Sequence, residues 1–303
     1  VVQEGACVYL RRDCPEHGRY DFLLSRNGDD YADLDRFFFD ILHGAEEGGQ
    51  ITNYWVQVTS DCQQQCPYCS IDLNAPFFDH MTMDDFRRVL DTVGNVKFTL
   101  SGGDATAHPL FFDFLQEAQK RGALVQLSTN GLLLASKDYC QRMIDAGLTE
   151  VRISYESLDK KETQPLGLDA YYEAKLQALK NLEELGIATI LAPTIFRGIN
   201  ESQLVAALQY AKDKPFIREI GVTGFFWSGR GRLLSSENMI SPDEMMDVVF
   251  ENCFTGNRED VFTFEKLVMG CLHILKIRIC MSSQIIFFVR GNNKIRPVTE
   301  FLA

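Results

Sequence analysis

The stretch VTSDCQQQCPYCS, residues 58–70, decides how the rest of the chain is read. It spaces three cysteines as C-x3-C-x2-C directly behind a short apolar β-type run. A structural zinc site takes four closed ligands, usually in two pairs, and this loop supplies three with no histidine nearby. A cubane [4Fe-4S] cluster has four irons, so three thiolates leave one iron open to a substrate or cofactor. Three structural cysteines in a turn is the weaker alternative, because thiols crowded around Pro67 in a polar loop have no packing reason to be there.

Outward from this loop, short apolar runs alternate with amphipathic helical stretches. Strands are expected at 54–59, 96–100, 123–128, 150–155, 187–194 and 217–226. Between them, TMDDFRRVLDTV, HPLFFDFLQEAQKRG, SKDYCQRMIDAG, AYYEAKLQALKNLEELG and ESQLVAALQYAKD place apolar residues at helical spacing, with Gly122, Gly147 and Gly186 as stop signals. Pro109 reads as a first-turn residue of its helix. Six β-α units in series require right-handed crossovers and a parallel sheet. They are fewer than a closed eightfold barrel needs, so the fold class expected is α/β, a partial (β/α)6 TIM-like barrel with its binding face at the carboxyl ends of the strands. The cysteine loop opens onto that face.

Cys62, Cys66 and Cys69, with Tyr68 before the last, resemble the signature of the radical S-adenosylmethionine (radical SAM) superfamily. LSGGDATAHP (100–109) looks like that family's Gly-Gly-Glu motif, and STNG (128–131) and RISYES (152–157) follow at the next two strand ends. The resemblance spans roughly residues 51–230. It implies that the three cysteines ligate a [4Fe-4S] cluster whose open iron chelates SAM, and that an electron delivered there cleaves SAM to a 5'-deoxyadenosyl radical that abstracts hydrogen from the substrate. It further implies Tyr68 near the adenine, Gly102 and Gly103 beside the methionyl end, and Ser128, Asn130, Ser154 and Glu156 near the carboxylate or ribose. Asp104 stands where Glu is commoner, and its shorter side chain is expected to meet the SAM amino group differently or through water. Independently of the resemblance, a glycine pair at a strand end permits close backbone approach, and Asn and Ser there offer both donors and acceptors.

Residues 1–50 and 236–303 do not continue the repeat and read as appendages to a core at 51–235; the tail SQIIFFVRGNNKIRPV reads as a hairpin. VYLRRDCPEHG (8–18), KLQALKNLEELGIATILAPTIFRGIN (175–200) and VTGFFWSGRG (222–231) resemble archaeal tetraether-lipid synthases and their pterin methyltransferase relatives. There a preceding Cys-Pro-x-Cys helps build a rubredoxin-like or zinc-ribbon site; here only Cys7 and Cys14 are present. Cys253, Cys271 and Cys280 are candidates for a second iron-sulfur cluster, with burial in an apolar run as the competing account. Cys140, at an apolar helical position, reads as core, and the Phe clusters at 37–39 and 77–78 suit core packing ahead of an apolar substrate passage. His17, His80 and His108 have plain loop readings, and Arg230 and Arg232 could anchor an anion or simply be solvated.

Thirty basic against 42 acidic residues, net −12, repel polyanions, so nucleic acid is excluded as a partner. His273, Lys276 and Arg278 interrupt the longest apolar stretch, so no transmembrane span is expected. The opening residues lack the pattern of a secretory signal, and nine cysteines outside a secretory context suit reduced thiols, which points to the cytoplasm. The expected activity is reductive SAM cleavage leading to carbon-carbon bond formation or methylation on a lipid- or pterin-like substrate, with a reductase, ferredoxin or flavodoxin as electron donor. The alternatives are an enzyme modifying a peptide or small molecule through an auxiliary cluster, and a non-catalytic iron-sulfur carrier. The strand-end motifs argue against the carrier.

Overall fold

The computed structural model describes residues 1–16, 18–36, 53–70, 80–94, 97–253, 258–274, 286, 288–291 and 294–298. His17, Cys280 and the Phe clusters at 37–39 and 77–78 lie outside them. The chain divides into two compact units, Thr52–Met239 and a second made of Val1–Ile51 with Ile240–Ala303.

The chain opens with a three-stranded antiparallel sheet, β1 (Val2–Glu4), β2 (Cys7–Cys14) and β3 (Gly18–Ser25), followed by helix α1 (Gly28–Arg36). Cys7 and Cys14 occupy the two ends of β2. Seven residues of extended chain separate them by roughly 20 Å at ~3.3 Å per residue, so they do not share one metal ion.

The unit Thr52–Met239 is built on β-α alternation. Strand β4 (Asn53–Thr59) leads through the cysteine loop to α2 (Met83–Val93), and β5 (Lys97–Gly102) to α3 (Phe111–Lys120). Then follow β6 (Val125–Thr129), α4 (Lys137–Asp145), β7 (Leu148–Ser154), α5 (Lys160–Thr163), α6 (Tyr172–Glu184), β8 (Ala188–Ala192), β9 (Thr194–Ile195), α7 (Ser202–Ala211), β10 (Ile217–Ile220) and β11 (Thr223–Gly224). Six strands form one parallel sheet in the order β10-β8-β7-β6-β5-β4, each beside the next of the six along the chain, as right-handed β-α crossovers require. This is the partial TIM-like barrel expected from the sequence.

Two details of the chain differ from expectation. The runs at 187–194 and 217–226 are each broken: Pro193, which has no N–H for a ladder, separates β8 from β9, and Gly221–Val222 separate β10 from β11. β9 and β11 then pair as a parallel ladder of their own. Helix α3 begins at Phe111 rather than at Pro109, because His108 is extended (ψ 130°) and its Nδ1 accepts from the Leu110 N–H at 2.9 Å. Elsewhere the local signals hold; Thr82 and Asp85 form a reciprocal capping box at the start of α2.

The core lies between the helices and one face of the sheet. Phe98 and Leu100 on β5, Val125 and Leu127 on β6, and Val151 and Ile153 on β7 are all fully buried against helical residues such as Phe86, Phe114, Met143 and Leu179. Cys140 is among them, as expected. The alternate residues of the same strands, Thr99 and Ser101, Gln126 and Ser128, Arg152 and Ser154, put polar groups on the opposite face. The two-residue period that builds the core therefore also delivers three serines to the carboxyl ends of three neighbouring strands.

In the other unit, β3 is joined to helix α8 (Pro242–Cys253) by Asp243, whose Oδ2 accepts from Ser25 Oγ at 3.1 Å and from the Asn27 N–H at 3.1 Å. Helix α9 (Arg258–Ile274) follows, and Arg258 pairs with Asp247 and with Asp30. Strands β12 (Phe288–Gly291) and β13 (Lys294–Pro297) pair antiparallel, the hairpin read from the sequence. Cys253 closes α8 and is half-buried, and Cys271 is exposed on α9. Among the described residues no helix is long and apolar enough to cross a membrane.

Candidate functional site

A cavity of about 300 Å³ opens at the carboxyl ends of the strands. Its walls carry Cys62, Cys66, Tyr68 and Cys69 from the cysteine loop, Gly102 and Gly103 from the end of β5, Ser128 and Asn130 from the end of β6, and Ser154 and Glu156 from the end of β7. Of the residues predicted for cluster and SAM, only Asp104 does not line it.

The glycine pair lets the cysteine loop and β5 approach each other. Gly102 has φ +148°, and a Cβ there would run into the backbone of Thr59; one on Gly103 would strike the carbonyl oxygens of Ser60 and Asp61. Gly103 N donates to Thr59 O at 2.8 Å and Asp104 N to Asp61 O at 2.7 Å. The close approach that the glycines permit is thus to the base of the loop, while their own surface still faces the cavity. His80 and His108 brace the same base from outside. His80 bonds Thr59 Oγ1 at 3.1 Å and lies 3.4 Å from Asp61, and the two imidazoles meet edge to face at 4.9 Å. On the other side, Arg230 N donates to Cys69 O at 2.9 Å and its guanidinium to Gln65 Oε1 at 2.8 Å. Arg230 therefore clasps the loop instead of standing open to an anion; Arg232 is exposed.

The thiols are close enough to sense one another. Burial pushes Cys66 up to about 12, with Glu156 adding to the rise and Lys175 opposing it before the smaller effects of Cys62 and Cys69. Cys62 is also raised by burial, but its sulfur already receives two N–H groups, Gln64 N at 3.4 Å and Asn130 Nδ2 at 3.6 Å. Among the described residues no trio of His, Cys, Asp or Glu is gathered around a point as a single ion would need. Three thiols that bind three different irons of a cube stand farther apart than ligands sharing one ion. The donor set, three thiols on one loop facing a cavity floored by glycine, fits a cluster of that kind.

Two buried carboxylates flank the cavity. Asp104, 1% exposed, is turned away from it. Its Oδ1 accepts from the Thr106 N–H at 3.0 Å and Thr106 Oγ1 at 2.6 Å, and its Oδ2 from Thr129 Oγ1 at 2.8 Å and the Asn130 N–H at 2.7 Å. The short side chain of Asp104 folds back to tie β5 to the turn after β6, with both oxygens accepting from protein donors. Burial raises its pKa and these four donors pull it down. Glu156, 3% exposed, faces the cavity and pairs with Lys175 of α6 at 2.9 Å; Lys175 also donates to Ser154 O at 2.9 Å. Tyr68 stands over this pair, its pKa pushed well up by burial and then by the Glu156 charge. Its ring packs edge to face on Phe196 (5.0 Å), which stacks on Phe225.

Residues 56–211 match the Radical SAM superfamily. The chain belongs to the radical SAM superfamily. It is 22% identical over its whole length to 7,8-dihydro-6-hydroxymethylpterin dimethyltransferase of Methanocaldococcus jannaschii, of which it covers 67%. It is 26% identical to GTP 3',8-cyclase of Campylobacter fetus over 55% of this chain and 54% of that protein, so it spans about half the length of such relatives. In fold it resembles Streptococcus suis SuiB bound to S-adenosylmethionine (TM-score 0.55, 14% identity, 76% of this chain and 54% of that one). It also resembles HydG, a maturase of the [FeFe]-hydrogenase (TM-score 0.51, 14% identity, 73% and 52%). Radical SAM proteins use SAM and a [4Fe-4S] cluster, and the chain is an enzyme of this superfamily.

Sequence reasoning missed Gln64, Ser101, Lys175, Phe225 and Phe226 in and around the cavity. Ser101 precedes the glycine pair on the same strand face as Ser128 and Ser154, so the two-residue period could have found it. Lys175 carried no such signal, being one lysine among several on an amphipathic helix.

Proposed function

We propose that Cys62, Cys66 and Cys69 hold a [4Fe-4S] cluster, that SAM occupies the cavity beside it, and that the enzyme acts on a pterin-like small molecule with methylation or carbon-carbon bond formation as the outcome. The observation that carries this reading is the convergence of the three thiols, the glycine floor and three strand-end polar groups on one cavity. The pterin direction is supported by the alignment of the whole chain to a pterin dimethyltransferase. When bound, the cluster and SAM supply reductive cleavage of SAM and thereby an oxidant able to take hydrogen from an unactivated carbon.

The protein's own part is binding and exclusion. Ser101, Ser128 and Ser154 present hydroxyls that donate and accept, suited to a ribose or carboxylate. Tyr68, Phe196 and Phe225 form an aromatic wall that keeps water from one side and gives a flat ring a surface to pack on. The Glu156–Lys175 pair holds a charged carboxylate at the cavity with its counter-charge supplied from behind. Phe226, 61% exposed, rims the cavity and suits a planar heterocycle entering from outside. We assign electron delivery to a ferredoxin or flavodoxin; of the cysteines named for a second cluster, Cys253 is half-buried and Cys271 exposed, and Cys280 lies outside the described residues.

The test is anaerobic reconstitution with iron and sulfide, followed by iron counting, reduction, and assay for 5'-deoxyadenosine with and without a reduced pterin. About four irons per chain and deoxyadenosine from the parent, with neither from Cys66→Ala, is the expected result. A faster release of deoxyadenosine on adding the pterin, with a methylated or coupled product, supports the substrate class. An intact cluster without deoxyadenosine under any of these conditions refutes the proposal that this cavity cleaves SAM to act on a pterin-like molecule.

A further inference from the structure

Three consecutive glutamines separate Cys62 from Cys66, and the structure uses them differently. Gln63 is committed to the protein, its Nε2 donating to Thr106 Oγ1 and its Oε1 accepting from Asn130 Nδ2, both at 3.1 Å. Gln65 accepts from Arg230. Gln64 is 1% exposed, lines the cavity, and has no hydrogen-bond partner on either Nε2 or Oε1. Buried amides are almost always satisfied, and leaving one bare is a cost that an apolar side chain of similar size would avoid. Such an amide facing a cavity is completed by what the cavity binds.

The second observation concerns Asp104. Both of its oxygens are occupied by protein donors, so it offers no acceptor to the cavity. The other cavity carboxylate, Glu156, is paired with Lys175. Gln64 Oε1 is therefore a buried acceptor without a donor, on the loop that carries the thiols, where the usual acidic acceptor has been withdrawn. A carboxamide carries an acceptor and a donor on one carbon, and an amino acid carries a donor and an acceptor on one carbon; the two are complementary.

We propose that Gln64 is a binding residue for the amino-acid end of SAM, Oε1 accepting from the α-amino group and Nε2 donating to the carboxylate, in place of the contact that Asp104 does not make. This rests on the reading that the cavity holds SAM. The experiment is anaerobic equilibrium binding to reconstituted parent and Gln64→Leu proteins, with SAM and with the SAM analogue that lacks the α-amino group. Thermal melts of both cluster-free proteins accompany it. Gln64→Leu is expected to bind SAM about a hundredfold more weakly, the size of two lost hydrogen bonds to a polar ligand at about tenfold each. Removing the amino group should weaken binding to the parent by about tenfold more than it weakens binding to Gln64→Leu, a comparison in which the iron contact common to both proteins cancels. The cluster-free variant should melt no lower than the parent.

Equal SAM affinity in the two proteins, an identical loss for the analogue in both, or a lower melting temperature of the cluster-free variant would each overturn the assignment. Gln64→Met, unbranched and of similar volume, is run beside it and should show the same losses. A parent that binds no SAM removes the reading of the cavity and this assignment together; a parent that binds SAM as Gln64→Leu does removes the assignment alone.

Discussion

The end of β5 and the end of β7 each bury one carboxylate, and the two are handled in opposite ways. Asp104 is solvated by four neutral donors from its own turn and from the turn after β6, so it acts as a knot between strand ends and contributes no free oxygen to the cavity. Glu156 keeps a cation, Lys175, behind it and leaves its other side toward the cavity. A buried charge needs either several dipoles or one counter-charge. The first solution consumes the carboxylate, while the second leaves part of it available. That difference separates an acid that holds the site together from an acid that can meet a ligand.

The largest effect expected from this comparison is at Lys175. Lys175→Met leaves Glu156 buried and uncompensated, and the unfolding free energy should fall by about 3–5 kcal/mol in urea titrations. Adding Glu156→Gln to Lys175→Met should recover most of that loss; a double variant as unstable as the single would show that Lys175 acts through packing and not through charge.

Asp104→Asn should cost less, about 2–3 kcal/mol. One amide oxygen cannot serve donors on both sides of the carboxylate, and the amide nitrogen faces the Asn130 N–H or the Thr106 N–H, donor against donor. The same titration checks it, and a loss under 1 kcal/mol would remove Asp104 from its role as a knot. Asp104→Glu restores the residue commoner in the family but adds a methylene to a fully buried site, at a cost of about 1–2 kcal/mol. Its SAM affinity should not exceed that of the parent, and tighter binding would mean that the longer acid reaches the cavity.

The smallest effect is in pH dependence. Burial raises Asp104 above its ordinary value of 3.8. Between that value and the raised one the native chain holds a proton that the unfolded chain has released, so stability falls as pH rises through this window, by at most ~1.4 kcal/mol per pH unit. Asp104→Asn should abolish this component of the slope in parallel titrations, whereas Gln substitution of exposed Asp84 should leave it. An unchanged slope in Asp104→Asn would assign it to another group.

Much of this was legible from residues alone. The odd number of cysteines at short spacing, and the glycine, serine and asparagine signals at successive strand ends, follow from local chemistry and the two-residue period of a strand. That is why ten of the residues predicted for cluster and SAM converge on one cavity. What was not legible depends on direction. Asp104 belongs to a recognisable motif, but whether its carboxylate points into the cavity or back to Thr129 and Asn130 is set by a methylene and by donors 25 and 26 residues away. Gln64 looks like either of its neighbours until burial and hydrogen bonding distinguish the three.

The amino-acid sequence by itself determined the class of fold, the family and the residues that can ligate a cluster, because periodicity, turn chemistry and cysteine spacing act over a few residues. Only the tertiary structure decided which acid is a knot and which faces a ligand, that Lys175 of α6 stands behind Glu156, and that one glutamine of three is left without a partner. Those outcomes depend on which donors reach a buried group across the barrel, and such long-range pairing has no local signature.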